Sequence, residues 1–206
     1  MKSFIVSVIA ITLGFTSGIL NATIIDFEDV TLSGNVGPVG TQISRGFQFD
    51  TTSTNDILRV HRNGGNCAGG CVDNGTQALY AYNSDQTAPF EVFMTAVDNS
   101  VFNFLSFDYS ELFKFTTDGT AVIDLIGTRS GGGTVTASFS IDQTPAAYQT
   151  ATVSGFSSLT SVLFSSDKLF PTYDNIVVSS VPEPATLALM SLGLAGLGFS
   201  RKRKAA

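Results

Sequence analysis

Residues 121–126 read Ala121-Val122-Ile123-Asp124-Leu125-Ile126, a glycine triplet follows at Gly131-Gly132-Gly133, and residues 134–141 read Thr134-Val135-Thr136-Ala137-Ser138-Phe139-Ser140-Ile141. The last run alternates hydroxyl-bearing and apolar side chains, and a period of two sends successive side chains to opposite faces of a strand. The glycines supply turn chemistry, since glycine adopts positive φ without steric cost. The same texture extends in both directions. Short alternating or apolar runs rich in Phe, Val, Ile and Thr occupy residues 24–27, 46–49, 57–61, 78–82, 90–96 and 101–107, then 148–154, 159–164 and 175–178. Further turn signals stand at Asn63-Gly64-Gly65, Asp98-Asn99 and Asp118-Gly119. Ten or eleven short strands at this spacing predict an all-β, antiparallel sandwich or barrel. No stretch between the termini has helical periodicity. Residues 101–107 alternate only weakly, which predicts a central strand buried on both faces.

The termini differ in character. Met1-Lys2 is a short positive segment, residues 4–19 are apolar, and Leu20-Asn21-Ala22 places a small residue before a cut. That order predicts a secretory signal peptide cleaved after Ala22, the alternative being a retained N-terminal anchor. At the other end stand Val181-Pro182-Glu183-Pro184, an apolar run over 185–199, and Arg201-Lys202-Arg203-Lys204. As a helix that run spans roughly 22 Å at about 1.5 Å per residue, short of the roughly 30 Å hydrocarbon core. Gly193, Gly196 and Gly198 weaken the helix in water, lipid restores it, and the basic cluster favours the cytoplasmic side. The result is a marginal, temporary membrane stop; an uncut C-terminal anchor is the alternative.

This ending resembles the PEP-CTERM sorting signal of exported bacterial surface proteins. The resemblance implies recognition of Pro182-Glu183-Pro184 by an exosortase, processing of the tail after transient inner-membrane insertion, and delivery to the cell envelope, outer surface or extracellular matrix. The chain then divides into a signal peptide (1–22), an ectodomain (23–180) and a sorting signal (181–206). Anchored and released end states stay open.

The ectodomain keeps six basic side chains against sixteen acidic ones, a net charge of −10. Phosphate binding needs clustered Lys and Arg, so nucleic acid and anionic lipid are excluded as partners. The charge suits an exterior rich in calcium and polyanions, or it simply keeps the domain soluble. The two cysteines stand as Cys67-Ala68-Gly69-Gly70-Cys71. In an exported protein such a pair reads as a disulfide, and the glycines let the backbone turn tightly enough to close it. A loop this short adds roughly 2 kcal/mol in the chain-entropy model. Zinc fits poorly, because His61 is the only histidine and cannot complete four ligands with two thiols.

The order of elements adds a second resemblance. Ile25-Asp26-Phe27-Glu28-Asp29 opens the domain, Gly46-Phe47-Gln48-Phe49 follows, and Gly155-Phe156 and Tyr173-Asp174-Asn175-Ile176-Val177-Val178 close it. This looks like the jelly-roll domains common among PEP-CTERM proteins, which resemble the galactose-binding-like sandwiches of carbohydrate-binding modules. In many of those the first and last strands lie together and hold a structural calcium. Carried over, Glu28 and Asp174 lead the ligand set, with Asp26 or Asp29 nearby and the Asn175 amide in support. Calcium takes six to eight oxygens. Asp26 and Glu28 on one strand face, with Phe27 on the other, would supply some. The alternative has Phe27 packed inward and the acids facing water.

Sugar recognition needs flat apolar rings with polar groups at their edges, and the chain has no tryptophan. Tyr80 and Tyr82 share strand parity, and Arg59, Arg62 and Asn63 lie in or beside the glycine-rich loop at 63–70, so these five are the candidate ligand contacts. Core packing or cross-strand pairing explains the tyrosines equally well. Catalysis has weak support. His61 reads as a surface residue, no glycine–serine elbow is present, and Glu91, Glu111 and Asp108 are the nearest to a glycosidase pair, with Glu91 placed outward on an edge strand. The expected function is a non-enzymatic, exported module that contacts exopolysaccharide, stiffened by calcium. A structural or adhesive protein with protein partners comes second and a polysaccharide hydrolase third.

Overall fold

The computed structural model describes residues 21–52, 56–62, 72–83, 89–112, 121–141, 147–167, 170–181 and 190. Alternation drives these segments into twelve strands: β1 (Ala22–Ile25), β2 (Gln42–Ser44), β3 (Phe47–Thr51), β4 (Asp56–Arg62), β5 (Gln77–Asn83), β6 (Phe90–Ala96), β7 (Phe102–Glu111), β8 (Ala121–Arg129), β9 (Thr134–Ile141), β10 (Gln149–Thr152), β11 (Leu159–Ser166) and β12 (Pro171–Ser180). Eleven answer the runs read from the sequence. The twelfth, β2, has three residues, too few to display a period.

All pairings are antiparallel. One sheet runs β2-β3-β6-β11-β8-β9. The other runs β4-β5-β12-β7-β10, with β1 alongside the second half of β12. A single pair, Leu159 with Phe102, joins them. The sheets pack face to face as a jelly-roll sandwich. Phe164 of the first sheet meets Phe104, Phe107 and Tyr173 of the second at ring-centroid distances of 5.7, 5.6 and 4.8 Å. Each such ring, fully buried, stabilises the fold by roughly 1.5–3 kcal/mol. The Tyr173 hydroxyl is buried among them without a hydrogen-bond partner.

β7 does not follow the expectation of a strand buried throughout on both faces. Phe102 and Phe104 point into the core, and so do Phe107 and Tyr109. Opposite β12, Ser106 pairs with Val177 and Phe104 with Val178, which leaves Leu105 as an extra residue. A bulge of this kind moves the inward set from even to odd positions. β12 answers with its own irregularity between Asp174 and Val177, where Asn175 takes φ 45°. Its inward set passes from Tyr173 to Ile176 and Val178. Asparagine tolerates that left-handed conformation better than most residues.

Exposed strand edges are hazards, and β4 is closed by the segment 35–40. Gly37 N donates to Val60 O (2.7 Å), Gly40 N to Leu58 O (3.1 Å), and Arg62 N to Asn35 O (2.8 Å). β6, expected at an edge, lies between β3 and β11 instead.

Candidate functional site

The calcium candidates come first. β1 stops at Ile25, so Asp26, Glu28 and Asp29 stand in the following turn and not on one face of a strand. Phe27 takes φ 56° there and is fully buried, its ring edge-on to Phe49 at 5.1 Å. The acids around it are fastened to protein donors. Arg45 donates to Asp26 from Nε and Nη2 (3.2 and 3.1 Å). Gln77 donates to Glu28 from its backbone N (2.7 Å) and Nε2 (3.3 Å). Asp29 accepts from the Ser44 hydroxyl and from Arg45 N (2.9 Å). The turn thus clasps β2 of one sheet to β5 of the other.

Asp174 is fully buried on β12 and accepts from Asn74 Nδ2 (2.7 Å), Thr76 Oγ1 (2.6 Å) and Asn175 N (2.7 Å). Its Cα partner across to β7 is Asp108, which accepts from Thr150 Oγ1 (2.6 Å) and Asn175 Nδ2 (2.9 Å). Burial pushes the Asp174 carboxyl up to about 6, against the three bonds that lower it, and the charge of Asp108 adds to the rise. Asp26, Glu28 and Asp174 therefore each have protein partners. Among the described residues no group of three or more His, Cys, Asp or Glu side chains is arranged to hold a metal.

The sugar-contact candidates separate. Arg59 and Tyr80 face each other across β4 and β5, and Tyr82 lies in β5 opposite Ile57. Tyr80 is 8% exposed, with its ring edge-on to His61 at 5.0 Å. His61 is not at the surface: it is 2% exposed, and burial holds its imidazole down to about 4. Arg59 lines a groove of about 430 Å³ with Leu32, Val36 and Pro38, and its Nε is buried without a hydrogen-bond partner. Arg62 is exposed at the end of β4. Asn63, Cys67 and Cys71 lie outside the described residues. So do Pro182, Glu183, Pro184, Arg201, Lys202, Arg203 and Lys204, and all of 185–199 except Met190. Among the described residues no helix is long and apolar enough to cross a membrane.

The three glycosidase candidates do not come together. Glu111 is buried on the inward side of β7, while Asp108 faces away from the core on the same strand. Glu91 stands on the outer face of the other sheet, accepting from Thr52 Oγ1.

That outer face is the feature the sequence reading missed. Register aligns Asp50, Phe93, Leu163, Ile126 and Thr136 in one row across β3, β6, β11, β8 and β9. Gln48, Thr95, Ser161, Thr128 and Thr134 form the row on one side, and Glu91, Ser165, Asp124 and Ser138 the row on the other. Phe93 is 38% exposed at the centre. Strands lie about 4.8 Å apart, so the apolar stripe from Phe93 to Ile126 covers roughly 10 Å. Hydroxyls, an amide and carboxylates border it. The signal was available: Phe93 shares parity with Glu91, which the alternation already turned outward.

Residues 180–204 match the PEP-CTERM protein-sorting motif. The PEP-CTERM motif implies export and sorting by an exosortase, and it accounts for the Pro-Glu-Pro, apolar and basic order of the tail. No curated protein matches the chain. Among solved structures, the K1 cleaved adhesin domain of Lys-gingipain from Porphyromonas gingivalis W83 is similar over 79% of this chain and 99% of its own, at 10% identity and TM-score 0.48. The CBM22-1 xylan-binding domain of Xyn10C from Paenibacillus barcinonensis is similar over 80% and 97%, at 14% identity and TM-score 0.42. The CBM22-1–GH10 modules of Clostridium thermocellum endo-1,4-beta-D-xylanase 10B match 65% of this chain at 11% identity and TM-score 0.40, and the chain spans 26% of that protein's length.

Proposed function

We propose that the exported domain is a non-enzymatic module of the cell surface or matrix that binds exopolysaccharide on the outer face of the β2-β3-β6-β11-β8-β9 sheet. The observation that carries this reading is the exposed Phe93 ring amid hydroxyl, amide and carboxylate side chains. An aromatic ring offers a sugar an apolar face, and the polar rows meet its hydroxyls. No catalytic pairing is needed for this task.

The test is binding of the chain to a panel of bacterial polysaccharides, with Phe93→Ala alongside. The expected result is retention by the parent chain and about tenfold weaker retention by the variant, the equivalent of roughly 1.4 kcal/mol. Absence of binding by the parent chain would sink the reading and favour protein partners, for which the β9 edge, paired only to β8 among the described strands, speaks. Run with calcium and with chelator, the same assay tests calcium at Asp26, Glu28 and Asp174. An ion there has to displace Arg45, Gln77, Asn74 and Thr76; loss of binding in chelator for the parent chain but not for Asp174→Asn would support calcium at these acids, and equal binding in both conditions would count against it.

A further inference from the structure

The strand edges of this sandwich are not equally protected. β4 is covered by the segment 35–40, and β2 ends the first sheet with only three residues. β9 closes the other end of that sheet with eight residues, Thr134–Ile141, and pairs only with β8 among the described strands. Its eight-residue register with β8 runs without a shift, so no bulge twists the edge away. It contains no proline and no charged side chain, the usual guards of an edge.

The direction of its backbone groups follows from the hairpin. Arg129 N donates to Gly133 O, and in an antiparallel ladder bonded and non-bonded pairs alternate from there. Val135, Ala137 and Phe139 therefore bond to β8, while Thr134, Thr136, Ser138 and Ser140 turn N–H and C=O outward. Tyr109 Oη donates to Ser140 O at 3.2 Å, as that assignment requires, and occupies the far end. Thr134, Thr136 and Ser138 are left with outward groups.

We propose that this edge is a homotypic interface: two copies of the chain pair antiparallel through β9, centred on Thr136. In that register Thr136 faces Thr136 of the second copy and Thr134 faces Ser138. Each facing pair exchanges two backbone hydrogen bonds. A second copy is the fitting occupant because self-pairing about a two-fold axis sets any charge against its own like, and this strand carries none. The facing side chains are hydroxyls, which pair favourably across strands. Val135 and Ala137, partly buried in one copy, gain cover from each other. The axis stands perpendicular to the sheet, so the outer faces of both copies point the same way. The interface does not depend on what those faces bind.

The test is sedimentation velocity on the full chain in mild detergent over a dilution series, comparing the parent, Thr136→Lys, Thr136→Glu and an equal mixture of the two variants. The expected result is a concentration-dependent dimer for the parent, association weakened about tenfold or more for either variant alone, and recovery in the mixture. Recovery also shows that both variants fold. A monomeric parent, an undiminished Lys variant, or no recovery on mixing would each overturn the proposal.

Discussion

At the scale of single residues, the acids of this chain show how little residue type says about environment. Asp26, Glu28 and Asp174 share a chemistry, yet one pairs with Arg45, one grips Gln77, and one is sealed beneath Asn74 and Thr76. Burial moves the titration of Asp174 upward. Between the ordinary carboxylate range near pH 4 and about 6, the folded chain holds a proton that the unfolded chain has released. This group's stabilising contribution is complete below about pH 4 and drains away as pH rises through about 6. Asp174→Asn removes the titration. The expected outcome is a flatter decline of Tm across that window than in the parent chain, measured by circular dichroism at fixed ionic strength. Identical slopes would show that the buried carboxyl does not titrate there. His61 and Phe93 mark the limit of residue-level reading. The histidine is hidden by neighbours on a strand face expected to be open, and the phenylalanine is displayed where its type argues for burial.

At the scale of elements, alternation located eleven strands, because a two-residue period is still legible in a run of four or more. It failed where the period itself breaks. The bulges at Leu105 and Asn175 switch the inward set within β7 and β12, and weak alternation over 101–107 was the trace of the first. Close packing leaves another mark at Gly127 of β8. A Cβ there would sit 3.0 Å from Phe156 Cδ1, 3.0 Å from Val135 Cγ1 and 3.1 Å from Leu159 Cδ1. Gly127→Val therefore overpacks the joint between β8, β9 and β11. The expected loss is about 1–3 kcal/mol in urea unfolding with an unchanged m-value. An unchanged midpoint would mean that this joint yields freely.

At the scale of the whole molecule, Ala22 pairs with Ser179, so the two terminal segments leave the sandwich side by side at one edge of β12. A cut after Ala22 keeps Thr23, Ile24 and Ile25 paired to Val178, Val177 and Ile176. The intact mass of the surface-delivered protein is expected to begin at Thr23 and to lack Arg201–Lys204. A mature form that still carries those four residues would refute processing of the tail. The sequence by itself determined the sorting signal and the all-β architecture. Both are written in local order: a motif followed by an apolar run and a basic cluster, and a period of two repeated between turns. Only the tertiary structure decided which polar groups are tied and which are offered. That choice depends on register between strands distant in sequence, which aligned Phe93 with Leu163 and Ile126, set Asp174 against Asp108, and left β9 paired only to β8 among the described strands.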